Sequence, residues 1–354
     1  MKDNKKHKKA EYGILITGLI ILLAATCVIA LCAGQYSVSV PEVIKILASR
    51  FVNVTKTWSN TAEGVVFTLR LPRMIGAVLV GSALSLSGAA YQGVFKNPLV
   101  APDLLGVSSG ACVGASVAIL LHLNSFGVQA MAFVAGILAV GLTLFIPRLI
   151  KNTNMTMLVL SGIIVKGIMD SVMGIIKYVA DPETELQSIT YWQLGSLTKV
   201  LPRDLFTVGP VIIAASVIIF LLRWRINILS LGDREAKTLG VSVTVVRNFI
   251  IICATLLTAS AVCISGTIGW IGLVIPHFAR MLTGPDNTKA IPASILIGAI
   301  FMVAIDTLAR ALTSVELPLS ILTGIIGAPF YIIILARQRM NYHDIRRTGF
   351  IISI

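Results

Sequence analysis

The sequence predicts an all-α integral membrane protein of about ten transmembrane helices. Three observations carry this. Of 354 residues, 56% are hydrophobic and only 13% are charged, whereas a soluble domain carries about 25% charged residues. The mean hydropathy is +0.89, so no aqueous surface could be built from what remains. Apolar stretches recur along the whole chain at lengths that match the ~30 Å hydrocarbon core of a bilayer.

In order, the apolar runs fall at 13–34, 65–90, 104–122, 126–147, 155–178, 205–222, 247–265, 268–283, 290–309 and 319–336. The first follows a lysine-rich start. It is too long for the apolar part of a signal peptide and lacks a small-residue cleavage site, so it reads as an uncleaved first helix. The eighth is short and broken by glycines and Pro276, and it would span only if packed within protein. The chain therefore divides into a Lys-rich start (1–12), one transmembrane domain (13–340) and a tail (341–354), with the start and the tail expected in the cytoplasm. Two connections exceed what a turn needs. Residues 35–64 are polar, with a short amphipathic stretch near Val40–Phe51, and residues 223–246 carry several charges.

The net charge of +13 does not indicate nucleic acid, because the basic residues cluster in short segments between apolar runs. With both termini in the cytoplasm most of them lie inside, as the positive-inside rule requires. The expected location is the plasma (inner) membrane, crossed many times. The five cysteines lie within apolar runs without C-x-x-C spacing, which indicates neither a disulfide scaffold nor a zinc site. His7, His122, His277 and His343 form no pattern with nearby acids, so no metal site and no catalytic residues are expected.

Several patterns carry more than hydrophobicity. Ala77, Gly81, Ser85, Ala89 and Gly93 recur at i, i+4, a small-residue stripe that lets another backbone approach closely in lipid. It serves helix packing and can also form a pore wall. The segment from Asn97 to Gly110 holds Pro98 and Pro102, which interrupt a helix, and Asp103, which can cap the next one. Irregular backbone at that depth persists only inside protein or beside a cavity. The cytoplasmic stretch 229–241 reads as a short helix with its own start and stop: Asp233 as N-cap, Asp233 and Lys237 as i, i+4 partners, Gly240 at the end. A capped charged knob suits docking on a cytoplasmic partner, and a plain surface helix fits as well. Arg70, Arg73 and Arg310 sit at outer helix ends against the positive-inside trend. Snorkelling accounts for them, and so does a carboxylate-bearing partner. No G-x-x-x-x-G-K-[ST] occurs, so the chain cannot bind ATP in the P-loop manner.

The segments LRLPR (69–73), GSALSLSGAAYQGVFKNPLVAPDLLGVSSGA (81–111), LGDREAKTLGV (231–241), GTIGWIGLVIPHFARMLTG (266–284), DTLAR (306–310) and ELPLSILTGIIGAPFYIIIL (316–335) closely resemble the permeases of type II ABC importers for iron siderophores, haem and vitamin B12. The resemblance runs in order from about residue 13 to 340. It implies the type II ABC importer permease fold, a dimer with a second permease (a related chain or a copy of itself), two cytoplasmic ATPase subunits and an external substrate-binding protein. ATP and Mg would sit on the ATPase, and this chain would bind no cofactor. The resemblance assigns Leu231, Gly232, Asp233, Arg234, Glu235, Ala236, Lys237, Leu239 and Gly240 to ATPase coupling. It assigns Arg70, Arg73 and Arg310 to ion pairs with the binding protein, and Asn97 and Leu99 to the narrow cytoplasmic end of the pathway.

Lys166 and Asp170, at i, i+4, lie within the fifth apolar run, which the resemblance places beside the pathway. A charge at mid-membrane costs at least about 2.5–3.5 kcal/mol on insertion scales, so the two should face protein or water. They suit a mutually neutralising pair, a contact between Lys166 and an anionic chelate, or a contact with a second permease.

The expected function is import of an iron(III)-siderophore by alternating access, with haem and cobalamin as alternative cargoes. An ion-coupled secondary transporter matches the composition but needs no docking knob. A membrane enzyme would need clustered acids, histidines or a nucleophile.

Overall fold

The computed structural model describes residues 2–152, 154–313 and 315–333, with side chains from residue 10 onward. The tail 341–354 expected in the cytoplasm lies outside the described residues. Every described regular element is helical. In chain order they are α1 (Lys2–Cys32), α2 (Val40–Ala48), α3 (Asn60–Gly64), a wide π-turn (Val65–Arg70), α4 (Leu71–Phe95), a 3₁₀ turn (Pro102–Leu105), α5 (Val107–Leu120), α6 (Ser125–Leu149), α7 (Met155–Val179), α8 (Glu185–Leu194), α9 (Pro202–Leu231), α10 (Asp233–Thr238), α11 (Val243–Ser265), α12 (Ile271–Thr283) and α13 (Asn287–Ala311). A last apolar helix, α14, spans Leu319–Ile333.

Each of the ten apolar runs contains a helix, but they are not equivalent. Among the described residues, seven are long and apolar enough to cross a membrane. α5 and α12 are shorter, as is the described part of α14. The 14 residues of α5 cover only about 21 Å at 1.5 Å per residue, short of the ~30 Å core. Sequence patterning foresaw this for α12 and missed it for α5. There the 3₁₀ turn takes up the start of the apolar run and helix resumes only after Gly106, whose φ of +77° suits a residue without Cβ.

The core is built on α4 and α11, which are buried along most of their length, while α1 and α9 are buried along little of theirs. α4 packs against α13, α11, α9 and α12. The small-residue stripe explains how. Ala77 and Ala89 are fully enclosed. A Cβ on Gly81 would overlap the carbonyl of Gly298 in α13, and one on Gly93 would meet Ile226 of α9. Gly88, on another face, lies against the Gly272 carbonyl at the start of α12. The stripe therefore serves close helix packing.

The short amphipathic stretch expected near Val40–Phe51 is α2. Its Val43 and Ile46 join Leu31, Trp58 and Val66 in a small separate core. This cluster closes over one end of the helix bundle, where α1 and α13 finish and α4 begins.

Candidate functional site

Charge and polarity concentrate at three levels. The first is the end of the bundle beneath α2. The last carbonyls of α1 have no intrahelical donors, and two arginines supply them. Arg70 donates to the carbonyls of Leu31 (2.7 Å), Cys32 (3.0 Å) and Tyr36. Arg310 donates to the carbonyls of Ala33 (2.8 Å) and Ala30. Arg73 divides its donors between Asp306 (2.8 Å from Nε) and Glu316 (2.8 Å from Nη1). Thr198 also donates to Glu316, at 2.7 Å. Burial raises the Glu316 carboxyl's pKa, but the hydrogen bonds from Arg73 and Thr198 outweigh it and hold it below the usual glutamate value. Gly34, at φ +143°, leaves room for Arg70, which a Cβ there would crowd at 2.8 Å.

This corrects one reading of the sequence. Arg70, Arg73 and Arg310 are all under 10% exposed, so they do not snorkel. Their guanidinium groups point inward and are engaged within the chain. The acids that engage them, Asp306 and Glu316, lay inside the quoted DTLAR and ELPLS segments. The i, i+4 spacing of Asp306 and Arg310 was the available signal.

The second level is halfway along the bundle. Lys166 and Asp170 sit near the middle of α7. Lys166 Nζ lies 3.0 Å from an oxygen of Asp103 on the 3₁₀ turn, so its partner is not Asp170. Nor does Asp103 cap α5: the N-cap is Gly106, with no side-chain cap bond. Both expectations rested on spacing along one helix, and the broken backbone at 97–106 brings a closer carboxylate to the lysine. Beside this pair is a cavity of about 350 Å³, whose polar wall includes Asp103, Ser108, Ser109, Lys166, Asp170 and Gln193. The start of α5, the middle of α7 and the 266–269 connection between α11 and α12 meet here. Among the described residues, no group of three or more His, Cys, Asp or Glu side chains is gathered as a metal-ligand set.

The third level is the opposite end of the bundle. α9 finishes at Leu231, and Gly232 turns the chain at φ +148° into α10. Only Ala236 of α10 is buried. Leu231, Asp233, Arg234, Glu235, Lys237, Leu239 and Gly240 are exposed. Gly240, at φ +76°, ends the helix as its position suggested. The Gly240 and Val241 N–H groups return to the carbonyls of Lys237 and Ala236, both at 3.0 Å. Asp233 departs from expectation: it neither caps α10 nor pairs with Lys237. Its carboxylate receives Arg247 of α11 at 2.7 Å and Lys96 at the end of α4 at 3.2 Å. Partial burial raises its pKa, but these two cations hold it below the usual aspartate value.

Lys96 adjoins the pathway residues inferred from sequence. It ends α4 in a left-handed conformation. Asn97 then accepts from the Leu99 N–H at 2.9 Å, and Leu99 is 59% exposed. Gln92 donates to the carbonyls of Val100 (3.2 Å) and Leu273 (3.1 Å), stitching this corner to α12. Asn97 and Leu99 thus lie at the same end as α10, joined to it through Lys96 and Asp233.

With this geometry in view, comparison with known proteins is decisive. A model of the FecCD transport family matches residues 21–337. The chain belongs to that family. It is a permease subunit of an ABC importer and is not itself catalytic, ATP hydrolysis being the work of a partner ATPase. The molybdate import system permease protein of Haemophilus influenzae is 37% identical, over 91% of this chain and 95% of the relative. A Helicobacter pylori protein named as a probable iron chelatin transport system permease is 40% identical, over 78% of this chain and 83% of the relative. A solved inward-facing metal-chelate type ABC transporter superposes with a TM-score of 0.82 at 35% identity, covering 92% of this chain and 99% of its own. These FecCD relatives differ in cargo, so membership identifies the machine and leaves its freight open.

Proposed function

We propose that this FecCD permease imports an iron(III)-siderophore or a similar metal chelate by alternating access, driven by two cytoplasmic ATPase subunits that act through α10 and its flanks. The observation that carries this reading is the form of residues 231–240. Nearly every side chain is exposed, a single buried alanine seats the helix, and Asp233 ties it to both α4 and α11. A push on α10 would reach Lys96 and the Asn97–Leu99 corner directly. In this reading both termini are cytoplasmic and the chain works in the plasma (inner) membrane, paired with a second permease.

An external binding protein would dock at the end beneath α2. Arg70, Arg73 and Arg310 would then act by shaping that surface, with the partly exposed Glu316 as its charged feature. Lys166 and Asp170 would line the pathway halfway across. Iron chelate is preferred as cargo because one relative is named for iron chelatin, and the superposed transporter's metal-chelate type supports a chelate more broadly.

The test is to purify the assembled transporter in nanodiscs and measure ATP hydrolysis with its binding protein and a panel of cargoes. The reading predicts stimulation by a ferric chelate. Stimulation by molybdate alone would overturn the cargo. Uptake into vesicles that lack any ATPase would overturn the coupling.

A further inference from the structure

We propose that the cavity halfway along the bundle is an electrostatic filter that admits net-neutral or cationic metal chelates and turns back multivalent oxyanions. The inference rests on the reading of this cavity as part of the pathway and names the class of cargo that can pass it.

The argument begins with the formal charges on the wall. Asp103, Lys166 and Asp170 are the charged residues that line it, two negative and one positive. Lys166 is committed to Asp103 at 3.0 Å, and the second oxygen of Asp103 has no hydrogen-bond donor. Asp170 has no ion-pair partner within 4.0 Å among the described residues. Among the lining residues one negative charge is left without a lining counter-charge.

Helix ends could reverse this, because a helix start carries roughly half a positive charge. Two helices begin here. The α5 start faces the cavity through Ser108 and Ser109. The α12 start is largely satisfied internally, since Ile271, Leu273 and Val274 donate to the carbonyls of Gly269 and Trp270. One partial dipole charge of about +0.5 does not cancel a full carboxylate.

The remaining wall is neutral and polar. Ser108, Ser109, Gln193 and Thr267 offer hydroxyl and amide groups that suit the amide, hydroxyl or amine periphery of an organic chelate. Lys177, about two turns beyond Asp170 along α7, acts electrostatically on Cys112 of the wall but is not part of the lining, so a compact dianion has no free cation to meet within the wall itself. It would find a lysine already neutralised and two carboxylates. On this ground the cavity favours a chelate over molybdate.

The experiment reads the field directly and needs no partner subunit. Ser109→Cys is introduced into the full-length protein carrying Cys112→Ala and reconstituted in nanodiscs. Its modification by trimethylammonioethyl and sulfonatoethyl methanethiosulfonates is followed by peptide mass spectrometry. Each rate is normalised to that of the same reagent with a free thiol. The expected preference for the cationic reagent is about fivefold or more, the effect of one unit charge ~8 Å away in a water-filled space on probes of opposite sign. Asp170→Asn should abolish most of this preference, and Lys166→Met should enlarge it. Where Ser109→Cys does not fold, Ser108→Cys reports the same field.

Equal normalised rates, a faster anionic reagent, or a preference untouched by Asp170→Asn would each overturn the filter and leave the pathway reading standing. Inertness of both serine replacements to both reagents, in folded protein, would overturn the pathway reading and the filter with it.

Discussion

The two ends of the charge inventory obey different rules. Beneath α2, Arg73, Asp306 and Arg310 are buried, and every guanidinium finds a carboxylate or a helix carbonyl. Halfway along α7, Lys166 and Asp103 form a pair of similar length that stays 47% and 36% exposed. A bilayer penalises both arrangements unless something answers the charge. In the first case the chain answers it, and the arginines become structural ties between α1, α4 and α13. In the second the chain answers only in part, which leaves room for water, cargo or a second permease. Committed charge marks architecture here, and in the proposed reading half-committed charge marks the pathway.

The largest expected effect breaks the first half of the contrast. Arg73→Met leaves Asp306 buried without its main partner, and removing one member of a buried pair costs about 3–5 kcal/mol. Thermal unfolding in detergent should fall by many degrees, and Arg73→Met with Asp306→Leu should recover much of the loss. A single variant that melts with the wild type would show that the cluster is not a structural tie.

The second half makes the opposite prediction. Lys166→Met removes a pair exposed enough to contribute no more than ~1 kcal/mol, so melting should barely change while uptake of the ferric chelate alters. Full uptake at normal expression would remove Lys166 from the pathway.

The smallest effect concerns Asp233. Its folded pKa lies below its unfolded value, so its contribution is present above pH ~4 and fades as pH falls through the folded pKa. Amide protection factors across 229–241, with the intrinsic exchange rate at each pH divided out, should therefore fall on acidification in the wild type. Asp233→Asn should start with lower protection factors and lose their pH dependence. Identical pH profiles for the two would show that Lys96 and Arg247 do not hold the helix through this carboxylate.

Much of this was legible from composition and spacing. Hydropathy placed a helix in every apolar run, the short eighth run anticipated the short α12, and Gly240 marked the stop of α10. Partnerships were harder to read. Spacing along one helix proposed Lys166 with Asp170 and Asp233 with Lys237, but the observed partners, Asp103, Lys96 and Arg247, lie on other elements. Short-range patterns report neighbours on the same helix. They say nothing of which distant segment the fold carries alongside. The arginines beneath α2 failed for the same reason, since nothing local to Arg70 shows that the end of α1 will arrive there needing donors.

The central claim is that force enters this permease through residues 232–240. Replacing them with a glycine-serine linker of equal length and following accumulation of radiolabelled iron chelate in cells tests it most directly. The account predicts uptake at background, with the variant still inserted in the membrane and melting as before. Accumulation at the ordinary rate would contradict it.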